Sequence, residues 1–316
     1  MSQIGRIFFG FILDAMLWNT TIFTFFISPP ACAEARCPGD VSPIRFRPLT
    51  LGQIAVPVML NQSGPYEFMV DTGTQFSVID PALAAGLHLQ PQGTIGVLSF
   101  SRWADQPWLM LDQIQVGPYA VQNIAVVIAS LQQIQSRDPK VRGILSANFL
   151  AHFDLLIDNE RRFLCFDQST QMQGQMRGDR VPVIDESDSA GAMALPPLVR
   201  ISTQLCGNAS PVRIMRLDSG AGVAVLYDNH LARRSTVSGN NLLRGHVIGG
   251  ASQFLTELPL QDLRIGKHLL SQIPFMSPSG EASSNAPKGE DGLLPTSLFD
   301  RVFISFAGRF VVFNPR

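Results

Sequence analysis

The sequence predicts an all-β protein in which two similar halves form one bilobal, pseudo-twofold molecule. Short apolar runs separated by turn-forming residues fill the chain after residue 45, and this pattern is typical of many short strands. Two blocks of sequence also recur at one spacing along the 316 residues. Sustained helical periodicity is scarce. We therefore expect only short helices, at 81–86, 148–152, 229–233 and 296–300.

The first repeated block combines two apolar strands, a turn and an Asp-Thr-Gly or Asp-Ser-Gly triplet. It spans residues 56–73 in the first half and 199–220 in the second, and the triplets begin at Asp71 and Asp218. Each triplet directly follows an apolar run. We therefore expect each aspartate on a tight turn at the end of a buried strand.

The second repeated block begins with a glycine and two apolar residues and continues into a short helix and a hairpin. It starts at Gly143 in the first half and at Gly292 in the second. The chain separation of these glycines agrees within two residues with that of Asp71 and Asp218. Two blocks that recur at one spacing indicate an internal duplication.

Composition divides the chain into four parts. Residues 45–166 and 195–316 are the two predicted lobes, and the polar stretch 167–194 is the predicted linker, with a strand expected at 181–184. Residues 1–35 resemble a secretory signal, because a positive start and a long apolar run precede a proline pair and small residues. An uncleaved membrane anchor is the alternative for this segment.

Export to the periplasm or the medium is therefore the expected localisation, with membrane association through the N-terminal segment as the alternative. Removal of a signal would leave three cysteines, Cys37, Cys165 and Cys206, and hence one unpaired thiol. Cys165 and Cys206 could form a disulfide, or both could be small buried residues.

Several classes of function are excluded by charge and motif content. The formal net charge is -1, the sequence pI is about 6.5, and no cluster of lysines or arginines forms a basic stripe, so nucleic acid is not an expected partner. The histidines and cysteines fit no metal-site spacing, and no serine lies in a nucleophile elbow. We expect neither a metal nor an organic cofactor.

The two aspartates provide a chemistry only if they come together. Two carboxyl groups related by a pseudo-twofold cannot both ionise easily, so they share a proton. The ionised member can then take a proton from water, and the protonated member can donate one to a substrate carbonyl. Gly73 and Gly220 would permit close approach of the backbone to the carboxylates.

On these motifs the sequence resembles the retropepsin-like aspartic proteases, in the fused two-lobe form found among exported bacterial proteins. The resemblance covers about residues 50–166 and 195–315. It implies an endopeptidase that binds an extended peptide or protein substrate, functions as a monomer and needs no cofactor. Mobile hairpins, or flaps, would fall near residues 93–103 and 245–254.

The resemblance also implies roles for individual residues. Asp71 and Asp218 would be the catalytic dyad. The hydroxyl groups of Thr72 and Ser219 would lock the two turns together. The residues implied to support the active-site turns are Thr72, Gly73, Thr74, Ser219 and Gly220.

Some residues depart from the family pattern. Ser146 and Pro295 occupy the place of the usual glycine in the late segments. Thr74 offers a hydroxyl to its aspartate whereas Ala221 does not, and we therefore expect Asp71 to be the more readily ionised member of the pair.

Arg216 lies two residues before Asp218, where the family usually has an aliphatic side chain. A guanidinium near the pair would hold Asp218 ionised, whereas an arginine that extends to solvent would not, and we favour the second interpretation. The first favours the alternative function, a catalytically impaired peptide-binding module on the same scaffold. An envelope-associated structural protein held by residues 1–35 is a further alternative.

Overall fold

A computed structural model of the chain describes residues 36–39, 41–99, 102–184, 195–206, 210–227, 242–246, 252–278 and 289–316. The predicted signal or anchor at residues 1–35 and the helix expected at 229–233 lie outside these ranges. The described protein consists mainly of strands with a few short helices, which confirms the predicted all-β fold class.

The strands up to residue 182 are β1 (Ile44–Arg45), β2 (Arg47–Pro48), β3 (Ile54–Leu60), β4 (Ser63–Val70), β5 (Ser77–Ile79), β6 (Gly93–Ser99), β7 (Arg102–Val116), β8 (Tyr119–Ile128), β9 (Val141–Leu145), β10 (Asp154–Asp158), β11 (Phe163–Asp167) and β12 (Arg180–Pro182). The strands after residue 195 are β13 (Arg200–Leu205), β14 (Val212–Asp218), β15 (Ala224–Leu226), β16 (Leu242–His246), β17 (Ser252–Glu257), β18 (Gln261–Ile265), β19 (His268–Ile273), β20 (Phe275–Pro278), β21 (Gly292–Pro295), β22 (Arg301–Ser305) and β23 (Phe310–Phe313).

Each half of the chain forms one sheet, and the two sheets share a pairing pattern. The first sheet has the order β2-β3-β4-β9-β5-β8-β7-β6, and the second has the order β16-β17-β20-β15-β21-β14-β13-β18-β19. In the first sheet β3–β4 is antiparallel, β4–β9 parallel, β9–β5 antiparallel and β5–β8 parallel. The succession β13–β14–β21–β15–β20 repeats these directions.

A third, six-stranded sheet joins the two halves in the order β1-β11-β10-β22-β23-β12. Its centre is the antiparallel pair β10–β22, in which Leu156 of the first half faces Phe303 of the second. The strand expected at 181–184 is present as β12 and pairs with β23. The hairpin at the end of each half therefore contributes to a sheet that holds both halves together.

The hydrophobic core extends from the first sheet into this shared sheet. Tyr119, Phe149, Phe153 and Phe166 pack as an aromatic cluster, with ring centroids 5.3–6.0 Å apart. Side chains of this size bury large apolar areas and dominate the energetics of a core. The cluster fixes β8 against β11 and thus aligns the first sheet with the shared sheet.

The helices are short, as the sequence predicts. They are α1 (Pro81–Gly86), α2 (Gln132–Gln135), α3 (Ala147–Leu150) and α4 (Gln171–Gln175), together with 3-10 turns at Thr50–Gly52 and Thr296–Leu298. The predicted helix at 81–86 is confirmed, and Asp80 caps it by accepting the N–H of Leu83 at 2.9 Å. Within the described part of the chain, no helix has the length and apolar character needed to cross a membrane.

The disulfide differs from the pairing considered from the sequence. Cys37 is bonded to Cys165, and Cys206 is an exposed free cysteine. The reason is tertiary: β1 pairs with β11 through Ile44 and Leu164, which brings the preceding segment beside Cys165. Cys206 instead follows β13 in the second sheet. Neither alternative considered for Cys165 and Cys206 is therefore present: they do not form a disulfide with each other, and they are not two small buried residues.

Loss of the disulfide is expected to destabilise the protein. The bond joins residues 128 positions apart, and a crosslink across so long a loop restricts the unfolded chain strongly. We expect Cys37→Ser to lower the free energy of unfolding by about 2–5 kcal/mol in oxidised protein, as measured by urea denaturation. Cys206→Ser is the matched control and should leave it nearly unchanged; equal loss in both variants would contradict the prediction.

Candidate active site

Asp71 and Asp218 occupy corresponding places in the two sheets. Asp71 directly follows β4, and its N–H donates to the carbonyl of Leu145 at the end of β9 at 2.9 Å. Asp218 is the last residue of β14 and pairs in register with Pro295 at the end of β21. Each aspartate therefore lies where two parallel central strands end together. Both are buried, with 4% and 8% of their surface exposed.

Each turn orients its own carboxylate with backbone N–H groups. The N–H of Gly73 donates to Oδ1 of Asp71 at 2.8 Å, and that of Gly220 donates to Oδ1 of Asp218 at 2.8 Å. These bonds fix the carboxyl planes before any substrate arrives, which is the preorganisation that a catalytic acid or base requires.

The two turns differ in their second hydrogen bond to the carboxylate. The hydroxyl of Thr74 donates to Oδ2 of Asp71 at 2.7 Å. In the second turn the N–H of Ala221 donates to Oδ1 of Asp218 at 2.8 Å. Both oxygens of Asp71 thus accept a hydrogen bond from its own turn, whereas the two bonds from the second turn to Asp218 converge on one oxygen.

The hydroxyl groups of Thr72 and Ser219 join the two turns across the interface. Oγ1 of Thr72 accepts the N–H of Ser219 at 3.0 Å and donates to the carbonyl of Leu217 at 2.9 Å. Oγ of Ser219 accepts the N–H of Thr72 at 3.1 Å and donates to the carbonyl of Val70 at 2.8 Å. We call these four bonds the cross-turn lattice. They satisfy buried backbone groups that would otherwise lack partners.

The glycine of each turn makes room for the opposite carboxyl group. A methyl group on Gly73 would lie 2.3 Å from Cγ of Asp218, and one on Gly220 would lie 2.6 Å from Cγ of Asp71. Both distances are far below van der Waals contact. The two carboxyl groups can therefore face each other only because both third positions are glycine.

Burial and proximity shift the titration of both aspartates. Burial raises the pKa of Asp71, while hydrogen bonds from Thr74 and Gly73 and the charge of Arg216 oppose the rise. Burial, and then the negative charge of Asp71, raise the pKa of Asp218 to about 8. The neighbouring charge acts on the second aspartate as a penalty for ionisation. Hydrogen bonds to both oxygens of Asp71 favour its ionised form, and the expectation that Asp71 ionises first stays a prediction.

Arg216 does not extend into solvent, contrary to the interpretation favoured from the sequence. Its side chain is only 16% exposed and forms an ion pair with Glu290, whose side chain is fully buried. The Nη1 of Arg216 also donates to the carbonyl of Gly73 at 2.7 Å. A buried counter-ion compensates the guanidinium, so its positive charge does not act on Asp218 alone.

Sequence reasoning missed two residues at this site. Glu290 was assigned no role, although a buried arginine on a central strand requires an acidic partner. Gln53 lies just before β3, and its Nε2 donates to the carbonyl of Gly220 at 2.6 Å. No local pattern marks either residue, because Gln53 reaches the second turn, and Glu290 reaches Arg216, from distant parts of the chain.

The two departures in the late segments have a simple backbone explanation. Ser146 has φ -121° and ψ -172°, and Pro295 has φ -62° and ψ 136°. Both conformations are extended and open to any residue that fits. Neither position requires glycine in this protein.

The predicted flaps coincide with hairpins in the backbone. In the first half β6 pairs with β7, and in the second half β16 pairs with β17. The tips at residues 100–101 and 247–251 lie outside the described residues, so a role in covering substrate stays a prediction. Among the residues that the structure does describe, no group of three or more His, Cys, Asp or Glu side chains could hold a metal.

Comparison with known proteins supports this interpretation of the first half. Residues 56–149 match the family model described as aspartyl protease, which confirms the resemblance predicted from the motifs. Among solved structures, the chain is similar to a retropepsin-like aspartic protease from Rickettsia conorii at 19% identity and a TM-score of 0.32, covering 40% of this chain and 91% of that one. No curated protein sequence matches the chain.

Removal of the hydroxyl group of Thr72 or of Ser219 from the cross-turn lattice is expected to destabilise the fold. Thr72→Ala leaves the buried N–H of Ser219 and carbonyl of Leu217 without their partner, which should lower the free energy of unfolding by about 1–3 kcal/mol. Ser219→Ala should act similarly. In urea denaturation the double variant should lose less than the sum, because the two hydroxyls belong to one network. Thr72→Ser keeps the hydroxyl and should restore most of the stability; if it is as unstable as Thr72→Ala, the lattice is not the cause.

The raised pKa of Asp218 predicts a stability that falls with pH. Between its ordinary pKa of 3.8 and about 8 the folded state binds more protons than the unfolded state. The free energy of unfolding should therefore decrease as pH rises through this window. Asp218→Asn should flatten the slope in melting curves recorded from pH 4 to 8, as tested with matched buffers. Asp105→Asn, which removes an exposed carboxylate, should retain the wild-type slope.

Proposed function

We propose that this chain is an aspartic-type endopeptidase in which Asp71 and Asp218 activate the water that hydrolyses a peptide bond. The family match supports an aspartic protease in general terms. The observation that carries the finer proposal is the reciprocal packing of the turns. Each carboxyl group lies against the glycine of the other turn, and the cross-turn lattice holds both in place.

The two aspartates divide the acid and base roles according to their surroundings. Asp71 ionises first and acts as the general base that takes a proton from the attacking water. Asp218 stays protonated because burial and the charge of Asp71 hold its pKa high, so it can donate to the carbonyl oxygen of the substrate. A tetrahedral intermediate with two hydroxyl groups forms. As its carbon–nitrogen bond breaks, Asp71 passes the proton gained from water to the leaving amine, and one hydroxyl of the intermediate returns a proton to Asp218 as the carbonyl re-forms.

The scaffold also favours a particular kind of substrate. A peptide in an extended conformation can use its backbone groups to bind beside strand hairpins such as β6–β7 and β16–β17. Both aspartates belong to one chain, which supports a functional monomer, and the proposed chemistry uses water and two carboxyls without a cofactor. The Cys37–Cys165 bond supports an exported location, because disulfides persist in oxidising compartments.

The decisive test is proteolysis by the full chain and by its aspartate variants. We expect the wild type to cleave a denatured protein and a peptide library between pH 3 and 7, detected by mass spectrometry of the products. Asp71→Asn and Asp218→Asn keep the volume of each side chain and should each lower kcat/KM by about 10²-fold to 10⁴-fold, the usual contribution of a general acid or base.

Glu160→Gln serves as the control for these variants, because it removes an exposed carboxylate from the turn between β10 and β11. Activity that survives both dyad substitutions would place the chemistry elsewhere. Peptide binding with no cleavage at any pH would instead support the alternative, a catalytically impaired peptide-binding module. Isothermal titration calorimetry on the same peptide library separates these outcomes.

A further inference from the structure

Two arginines face each other on adjacent strands beside the second active-site turn. Arg200 of β13 and Arg216 of β14 are direct partners in the antiparallel register. Their side chains project to the same face, and like charges at such a position repel each other. Their side chains are only 15% and 16% exposed, so solvent screens this repulsion weakly.

Glu290 resolves the repulsion by bridging the two arginines. Its Oε1 accepts a hydrogen bond from Nε of Arg200 at 2.7 Å, and its Oε2 accepts one from Nε of Arg216 at 2.9 Å. Oε2 also pairs with Nη2 of Arg216. A fully buried carboxylate in contact with two guanidinium groups is held in one orientation. Glu290 in turn fixes the direction in which Arg216 points.

The free edge of the Arg216 guanidinium reaches the first active-site turn. Its Nη1 donates to the carbonyl of Gly73 at 2.7 Å, so an arginine from the second half of the chain holds the turn of the first half. The other turn has a neutral counterpart, because Nε2 of Gln53 donates to the carbonyl of Gly220 at 2.6 Å. Each turn thus accepts a hydrogen bond from a side chain of the opposite half, but only one of these side chains, Arg216, is charged.

On the basis of the proposed function, we propose that Arg216 is a positioning residue of the dyad. Held by Glu290, its guanidinium ties the first turn to the second half and supplies the fixed positive charge that lets one carboxyl group ionise in a buried site. Only the second half of the chain makes this contribution, because Met69 occupies the corresponding position before Asp71 and has no charge.

The charged and titratable groups around Arg216 come from several elements of the fold. They are Asp71 after β4, Arg200 on β13, Asp218 at the end of β14, Tyr227 after β15 and Glu290 before β21. The positive charge of Arg216 lowers the pKa of Asp71 and of Asp218, against the larger effect of burial. Removal of that charge should therefore raise the pKa of Asp71 and the pKa of Asp218.

The test measures the dyad directly, without the need for catalysis. The probe is the full-length protein with ¹³C in the aspartate carboxyl carbons, titrated by NMR and assigned with Asp71→Asn and Asp218→Asn. Arg216→Met should move the first dyad ionisation upward by about one pH unit or more. Arg216→Lys keeps the charge and should move it by less than half as much. Unchanged titration in Arg216→Met would overturn the proposal.

Glu290→Gln should shift the first ionisation of the dyad in the opposite direction. It removes the compensating negative charge but keeps the shape of the side chain, so the charge of Arg216 acts more strongly and the first ionisation should move downward. A purely structural role would lower stability in both variants without shifts of opposite direction. The double variant Arg216→Met/Glu290→Gln removes one positive and one negative charge, so the cluster keeps the net charge of the wild type, but its remaining guanidinium is that of Arg200. It should fold and should still titrate above wild type, and a wild-type titration there would also refute the proposal.

Kinetics on the same proteins separate this proposal from the proposed function. If the wild type cleaves peptides, the acidic limb of its pH profile of kcat/KM should move with the NMR titration in each variant. If it cleaves none, the proposed function fails, while the NMR shifts still decide the role of Arg216. Arg47→Met is the matched control, because Arg47 pairs with Glu67 and Asp138, and it should leave the dyad titration unchanged.

Discussion

The cross-turn lattice is the interaction on which the rest of the site depends. A threonine and a serine hydroxyl each accept a backbone N–H from the opposite turn and donate to a backbone carbonyl of the opposite strand. Four buried backbone groups gain partners in this way, and their exact fit leaves little freedom for one half to move against the other. Buried networks of this kind are costly to satisfy only in part. The relative position of the two carboxyl groups therefore depends on two hydroxyls that do not contact either carboxyl group in this network.

The shared sheet and the hydrophobic core stabilise the arrangement of the two halves that the cross-turn lattice requires. The shared six-stranded sheet binds the terminal hairpins of both halves through β10 and β22, and the aromatic cluster around Phe166 fixes it to the first sheet. Two sheets that each have their own core would otherwise be free to shift, since a small interface between domains permits motion. The continuous sheet and core reduce that freedom at the place where the site needs it.

A symmetric framework here holds an asymmetric pair of acids. The first turn has the hydroxyl of Thr74 and a charged tie from Arg216, whereas the second has the N–H of Ala221 and a neutral tie from Gln53. Pairs of titratable groups with different surroundings divide acid and base roles between them. Under the proposed function, a single chain can make such a division permanent, because each half is free to vary its own sequence.

Sequence alone determined the all-β class, the repeat, the two aspartate turns and the short helix at 81–86, because these depend on local patterns and on spacing along the chain. The asymmetry between Thr74 and Ala221 was also visible in the sequence. The tertiary structure decided which cysteines pair, where Arg216 points, that Glu290 pairs with it, and that Gln53 reaches the second turn. These contacts join residues that are distant in sequence, and the pairing of β1 with β11 or the approach of Glu290 to two arginines leaves no periodic signal. The proximity of the two aspartates depends on sequence and tertiary structure together. The repeat predicted it, and in the folded chain the cross-turn lattice holds the two turns together.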